Sequence, residues 1–166
     1  MDARLQLVEE HVRQENQHDL EGIMHTFGAA ARYDDEPWRL HYAGRDEVRG
    51  FYQGLLQAVP DLHIDIRSRH VGDTAVVLEV VIQGTHLGPW RSLPATGARL
   101  QFPLCGVFTF DASSRLAGER IYYDRGTVLH QLGLFHEPES VLGRLTIALT
   151  HPRTMGRIAK RAILGR

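Results

Sequence analysis

The sequence predicts an α+β fold in which a strongly curved antiparallel sheet wraps around N-terminal helices as a cone or barrel. Apolar residues recur mostly at helical spacing over about the first sixty residues, and about the next sixty read as four long strands. Helical spacing then returns after residue 136. We therefore expect one domain over residues 1–136 and an extra basic amphipathic helical tail over residues 137–166, which is not a separate domain.

Two helices, or one bent helix, are expected at the start of the chain. Leu5, Val8 and Val12 share one face, and the apolar face changes before Leu20. Asp19 is the expected N-cap of the second half, because its side chain can accept hydrogen bonds from free backbone N–H groups.

Three histidines in this region, His11, His18 and His25, recur every seven residues. On one straight helix they would align. Because the apolar face changes between them, we interpret them as a solvated polar flank rather than a metal site.

The middle of the chain alternates short strands, one helix and long strands. Residues 29–44 read as two strands around an acidic turn, and residues 48–59 form an amphipathic helix that Pro60 ends. The four strand-like segments that follow lie within residues 61–124 and are joined by turn-forming residues. A short helix follows them, and a cone built this way would admit a small ligand at its open end.

Composition excludes several classes of protein. The single Cys105 allows no internal disulfide and has no metal-ligand spacing, so we interpret it as a small buried apolar residue. The only lysine is Lys160, which argues against a Schiff-base enzyme. The chain has neither a leader-like start nor a long apolar run, so a cytoplasmic location is expected.

Charge is distributed unevenly along the chain. Residues 140–166 carry six cations and no carboxylate, whereas the rest carries 13 cations and 20 carboxylates, a formal charge of −7. We expect the tail to dock on its own domain or across a dimer, and contact with an anionic membrane is the less favoured alternative. Nucleic acid is not an expected partner, because the body is acidic and the tail cations lack interleaved aromatic residues.

Four local motifs together resemble the SnoaL-like polyketide cyclase (ester cyclase) group, within the ketosteroid-isomerase-like cone fold. They are YAGRDEVRGFYQGLLQAVPDLHIDI (42–66), IQGTHLGPW (82–90), LPATGARLQF (93–102) and YYDRGTVLHQLG (122–133). The resemblance implies a cone with a mostly apolar pocket, commonly a homodimer, and acid/base chemistry on a small apolar carbonyl compound without metal or organic cofactor. In the polyketide members the acid/base is an Asp just before the last helix, which corresponds to Asp124.

Asp124 has two interpretations. It can be the acid/base of a dry pocket, with Arg120 and Tyr122 on the same strand face as substrate-binding neighbours. Alternatively, it only caps the helix that follows, by accepting hydrogen bonds from the next backbone N–H groups.

The other candidates lie on neighbouring strands. His86 ends a strand, where it can act as a proton shuttle or carbonyl donor, or simply be a hydrogen-bonded strand-end residue. Tyr33, Tyr42 and Phe102 are expected to bind substrate in the pocket, although each is also compatible with plain core packing.

Three functions remain open on the sequence alone. The first is a cofactor-free enzyme resembling polyketide cyclases. The second is epoxide hydrolase-like water addition, with Arg120 between Asp124 and a second carboxylate, either Glu79 or Asp65. The third is a non-catalytic, ligand-binding dimeric scaffold.

Overall fold

The computed structural model describes residues 2–164, in which helices flank one sheet. The helices are α1 (Ala3–Asn16), α2 (Leu20–Thr26), α3 (Arg45–Ala58), α4 (Arg125–Gln131), α5 (Val141–Thr150) and α6 (Pro152–Leu164), with a short 3₁₀-helix at Glu36–Trp38. Asp19 caps α2 as expected, because its carboxylate accepts a hydrogen bond of 3.0 Å from the Gly22 N–H.

Six strands form the sheet in the order β2-β1-β6-β5-β4-β3. The strands are β1 (Arg32–Asp35), β2 (Leu40–Ala43), β3 (His63–Val71), β4 (Ala75–Thr85), β5 (Arg99–Phe110) and β6 (Leu116–Tyr123). The α+β class is confirmed, but the purely antiparallel sheet is wrong, because β1 pairs in parallel with β6. The sheet is open, since β2 and β3 are its edges. Its strong curvature stays a prediction.

The parallel pair arises from the order of elements along the chain. β1 and β2 form an antiparallel hairpin early in the sequence, and the long meander from β3 to β6 then returns to β1. Tyr33 lies opposite Glu119 and Asp35 opposite Ile121 in this pairing. The pairing of β1 with β6 therefore places residues from the first and last strand-forming regions of the chain side by side in the sheet.

Helix α3 covers part of that face and closes the core. Its apolar stripe is the predicted one, and Val48, Phe51 and Tyr52 are all buried. The ring of Phe51 stacks on that of Tyr33, with 3.9 Å between the ring centroids. The main core thus lies between the helices and one face of the sheet.

The tail forms the two expected helices, α5 and α6, which contact each other. Within residues 2–164, no helix has both the length and the apolar character needed to cross a membrane.

Candidate functional site

A cavity of about 130 Å³ lies between the sheet, α1 and α3, and apolar side chains form most of its wall. Strand alternation decides which residues reach it. On β6, Glu119, Ile121 and Tyr123 line the cavity, whereas Arg120 and Tyr122 are exposed. The ionisable residues of the lining are Glu15, Tyr33, Asp35, His86, Glu119 and Tyr123.

Two of these residues, Glu15 and Glu119, belong to a buried cluster centred on His11, which does not itself line the cavity. Its Nε2 lies 3.2 Å from Oε2 of Glu119, 3.7 Å from Oε2 of Glu15 and 3.0 Å from the Tyr52 hydroxyl. Its Nδ1 lies 2.7 Å from Oγ1 of Thr26. The cluster therefore joins α1, α2, α3 and β6 at one point.

The hydrogen bonds assign the protons of this cluster. The Thr26 hydroxyl donates to the carbonyl of Ile23, so it accepts from Nδ1–H of His11. Tyr52 donates its hydroxyl proton to Oε2 of Glu119 at 2.5 Å, and Nε2–H of His11 donates toward the same oxygen. His11 is therefore an imidazolium paired with the Glu119 carboxylate.

Burial makes Glu15 a much weaker acid than an ordinary glutamic acid side chain. Desolvation raises the pKa of Glu15 to about 8, because it outweighs the attraction of His11, and nearby Glu119 adds to the rise. Burial also opposes the charge of His11, but Glu15 and Glu119 together raise the pKa of His11 above its usual value. Near neutral pH, Glu15 therefore keeps its proton beside the contact of His11 with Glu119.

A second polar group at the cavity is the ion pair of Asp35 with Arg91. Nη2 of Arg91 donates to Oδ2 of Asp35 at 2.8 Å, and the Tyr123 hydroxyl donates to Oδ1 at 3.3 Å. Burial raises the pKa of Asp35 in spite of Arg91. The guanidinium of Arg91 also lies over the Trp38 ring, 4.5 Å from its centroid, which holds the pair in place.

His86 is buried and lines the cavity. Its Nδ1 accepts a hydrogen bond of 3.3 Å from the Thr96 N–H, so the neutral ring carries its proton on Nε2. Nε2 has no hydrogen-bond partner among residues 2–164. Desolvation lowers the pKa of His86, so the neutral form is favoured. The strand-end role and a donor role are therefore both compatible with its position.

Asp124 caps α4 and is not part of the cavity lining. Oδ1 accepts from the Gly126 N–H at 2.8 Å, and Oδ2 accepts from the N–H and hydroxyl of Thr127 at 3.0 and 2.5 Å. The Thr127 hydroxyl and these N–H groups lower the pKa of Asp124. The capping interpretation fits this geometry, and a catalytic role for Asp124 stays a prediction.

The convergence needed for the Arg120 hypothesis is not found. Arg120 points to the face opposite the cavity, where its Nε lies 3.5 Å from Asp34 and 3.4 Å from Glu36. Glu79 is 60% exposed, and Asp65 pairs with Arg67. Neither carboxylate lines the cavity.

Some of the aromatic residues predicted to bind substrate line the cavity, and others do not. Tyr33 and Phe102 are buried and line the cavity, whereas Tyr122 is 45% exposed on the other face. Tyr42 is half-buried and packs against Tyr33 and Phe51 without lining the cavity.

Sequence reasoning missed the His11 cluster, and the solvated-flank interpretation is wrong for His11, which is fully buried. His18 and His25 are exposed as expected. Glu15 follows His11 by one helical turn, and Glu119 lies on the same face of β6 as Tyr123. Both spacings are visible in the sequence. They do not predict a buried cluster by themselves, because the sequence does not show which element packs against which.

Comparison with known proteins gives one family match. A family model described as SnoaL-like polyketide cyclase matches residues 4–132, which include every residue of the His11 cluster. No curated protein matches the chain.

Solved structures share the fold at low sequence identity. A protein of Shewanella denitrificans assigned to the SnoaL-like polyketide cyclases has a TM-score of 0.72 at 18% identity and covers 80% of this chain and 98% of its own. A Catenulispora acidiphila protein with a ketosteroid isomerase-like fold, in complex with trimethylamine, has a TM-score of 0.65 at 18% identity, with coverages of 77% and 92%. SalBIII, an epoxide hydrolase/cyclase-like enzyme in pyran ring formation, has a TM-score of 0.63 at 19% identity, with coverages of 74% and 91%.

Proposed function

Because the chain belongs to the SnoaL-like polyketide cyclase family, we propose that it catalyses acid/base ring closure or isomerisation of a small apolar carbonyl compound. The resemblance drawn from the sequence motifs is thereby confirmed at the level of the family. The observation that carries the proposal is the presence of Glu119 and Glu15 in one apolar cavity, where burial raises the pKa of Glu15 to about 8.

Glu119 is the base in this proposal. His11 and Tyr52 both contact its Oε2, and within residues 2–164 no hydrogen bond is made to Oε1. One oxygen is thus fixed and the other is available to the ligand. Oε1 would remove the proton from the carbon next to the substrate carbonyl, which an apolar wall favours because the carboxylate has little water to displace.

Glu15 is the acid. It keeps its proton up to a pH of about 8, so it can protonate the alkoxide or enolate carbon that forms. After the reaction Glu119 holds the proton taken from the substrate carbon, and Glu15 has given its own proton to the product. Nε2 of His11 lies between the two carboxyl groups, so His11 can give its proton to Glu15 and take one from Glu119. The starting state is thereby restored without metal or organic cofactor.

His86 would hold the substrate carbonyl. Its Nε2–H lacks a protein partner, and a buried donor of that kind gains most from a ligand acceptor. As negative charge develops on the carbonyl oxygen, this hydrogen bond would strengthen.

The cavity limits the size of the reacting part. A cavity of about 150 Å³ holds benzene, so about 130 Å³ fits one six-membered ring. A larger substrate would place one ring between Glu119 and His86, and the rest would have to extend out of the cavity.

The test is exchange of solvent deuterium into the α-carbon of cyclohexanone, followed by NMR. We expect the wild type to accelerate exchange and Glu119→Gln to lose at least about 100-fold of that acceleration. Glu79→Gln is the matched control, because Glu79 is an exposed carboxylate on the neighbouring part of the sheet.

Equal acceleration by Glu119→Gln and Glu79→Gln would remove Glu119 from the mechanism. If cyclohexanone raises the unfolding temperature of the wild type but no exchange is accelerated, the protein binds ligand without this chemistry. That outcome favours the ligand-binding scaffold.

A further inference from the structure

Helices α5 and α6 leave six large apolar side chains exposed to solvent. On α5, four large apolar residues are between 53% and 81% exposed, namely Val141, Leu142, Leu145 and Leu149. On α6, Met155 is 37% and Ile158 55% exposed. A contiguous apolar face of this kind on a folded protein marks an interaction surface.

The same helices carry one sign of charge. On α6, Met155, Ile158 and Ala162 share one side, and a second side collects the cations Arg153, Arg157, Lys160 and Arg161. Residues 140–166 contain no carboxylate that would neutralise them. A helix with low hydrophobicity overall, an apolar side and a cationic side is typical of segments that lie in the interface of a membrane.

Exposure and charge distinguish among three possible partners of these helices, namely the chain's own domain, a second copy and a lipid surface. Among the residues with described side chains, docking on the chain's own domain is not observed, because most of the large apolar side chains of α5 and α6 are exposed. Packing of the helix pair against the same helices of a second copy would place two uncompensated cationic tails together. An anionic lipid surface satisfies both the apolar side and the cations.

We propose that α5 and α6 bind this protein to the surface of an anionic membrane. The apolar side chains of Leu145, Leu149 and Ile158 enter the boundary between headgroups and acyl chains, and the arginines contact lipid phosphates. With 10 and 13 residues, each helix is too short to span a bilayer, so the pair lies along the surface. This role is independent of the chemistry in the cavity.

The test is flotation of the full chain with vesicles of phosphatidylcholine alone or mixed with an equal amount of phosphatidylglycerol. We expect flotation with the anionic vesicles only, weakened by added salt. Arg157→Gln with Lys160→Gln should lower the partition coefficient roughly 30-fold, because each cation near an anionic surface contributes about a five-fold change. Arg67→Gln with Arg99→Gln removes two cations from the body and should leave partitioning unchanged.

A second variant separates the apolar contribution from the charge. Leu145→Gln with Leu149→Gln should also abolish flotation while the thermal unfolding midpoint stays that of the wild type, because both side chains are exposed. Failure of the wild type to float with anionic vesicles overturns the proposal. So does equal loss of flotation in the tail and body charge variants. If the wild type does not float and the leucine variant converts a dimer into a monomer in light scattering, the partner is a second copy.

Discussion

Nε2 of His11 lies 3.2 Å from Oε2 of Glu119, and both side chains are almost completely removed from solvent. One residue is in the first helix and the other in the last strand, so this contact ties together the two ends of the sheet domain. A buried charge pair is stable only when both members are present, since an isolated charge loses its hydration without compensation. Each residue is therefore structurally dependent on the other.

Removal of one member should cost more than removal of both. We expect His11→Leu to lower the free energy of unfolding by about 3 kcal/mol, because Glu119 is left buried and unpaired. His11→Leu with Glu119→Leu should recover most of that loss, because two apolar residues replace the pair. Urea denaturation at neutral pH measures both values. A double variant no more stable than His11→Leu would show that packing, rather than charge pairing, determines the loss.

Stability should depend on pH through Glu15. The pKa of Glu15 is raised from 4.5 in an unstructured chain to about 8 in the folded protein, so the folded state holds a proton that the unfolded state releases. Stability therefore falls as pH rises from about 4.5 to about 8, with a slope of at most about 1.4 kcal/mol per pH unit from this group. The raised pKa of His11 acts in the same direction.

The measurement is the free energy of unfolding across that pH range for the wild type and Glu15→Gln. The amide cannot ionise, so the difference between the two proteins should shift in favour of Glu15→Gln as pH increases. Glu79→Gln, a change at an exposed carboxylate, should follow the wild type. Parallel curves for all three proteins would contradict a protonated, buried Glu15.

The rate of the proposed reaction should also depend on the protonation of Glu15. If Glu15 is the acid, the rate of cyclohexanone exchange falls above a pH of about 8, because the proton is then lost to solvent. Glu15→Gln should be slower at neutral pH and show no such fall from this group. A wild-type rate that keeps rising well above that pH, with Glu15→Gln unchanged in rate, assigns the acid elsewhere.

Asp124 offers a direct contrast between capping and catalysis. Asn is also a good N-cap, so Asp124→Asn should keep both the unfolding temperature and the rate of exchange. Asp124→Ala should lower the unfolding temperature, because the N–H groups of Gly126 and Thr127 lose their acceptors. A large loss of rate in Asp124→Asn at unchanged stability would restore Asp124 as the acid/base.

The sequence was sufficient for the parts of the fold that depend on local pattern. The amphipathic stripe of α3, the Asp19 cap and the long strands all follow from spacing and turn chemistry. The parallel pairing of β1 with β6 could not be predicted, because no local signal specifies which distant strand completes a sheet.

A local pattern is also insufficient to choose between the two faces of β6. Arg120, Tyr122 and Asp124 do alternate together, as expected, but the face they share is turned from the cavity. Only the contacts of α1 with the sheet show that Glu119, rather than its neighbour Arg120, points inward. The alternation of side chains along a strand defines its two faces, but it does not show which face the helices cover.

The position of β6 also sets an order of events during synthesis on the ribosome. The segments of α1 and β1 leave the exit tunnel first, but Tyr33 must wait for Glu119 before the parallel ladder can form. Until then His11 lacks the carboxylate of Glu119, and both His11 and Glu15 lack a dry environment, so a nascent chain that ends before β6 holds them as hydrated side chains. The unusual proton affinity of Glu15 is therefore a property acquired only when the last strand is inserted, and incomplete translation products would not possess it.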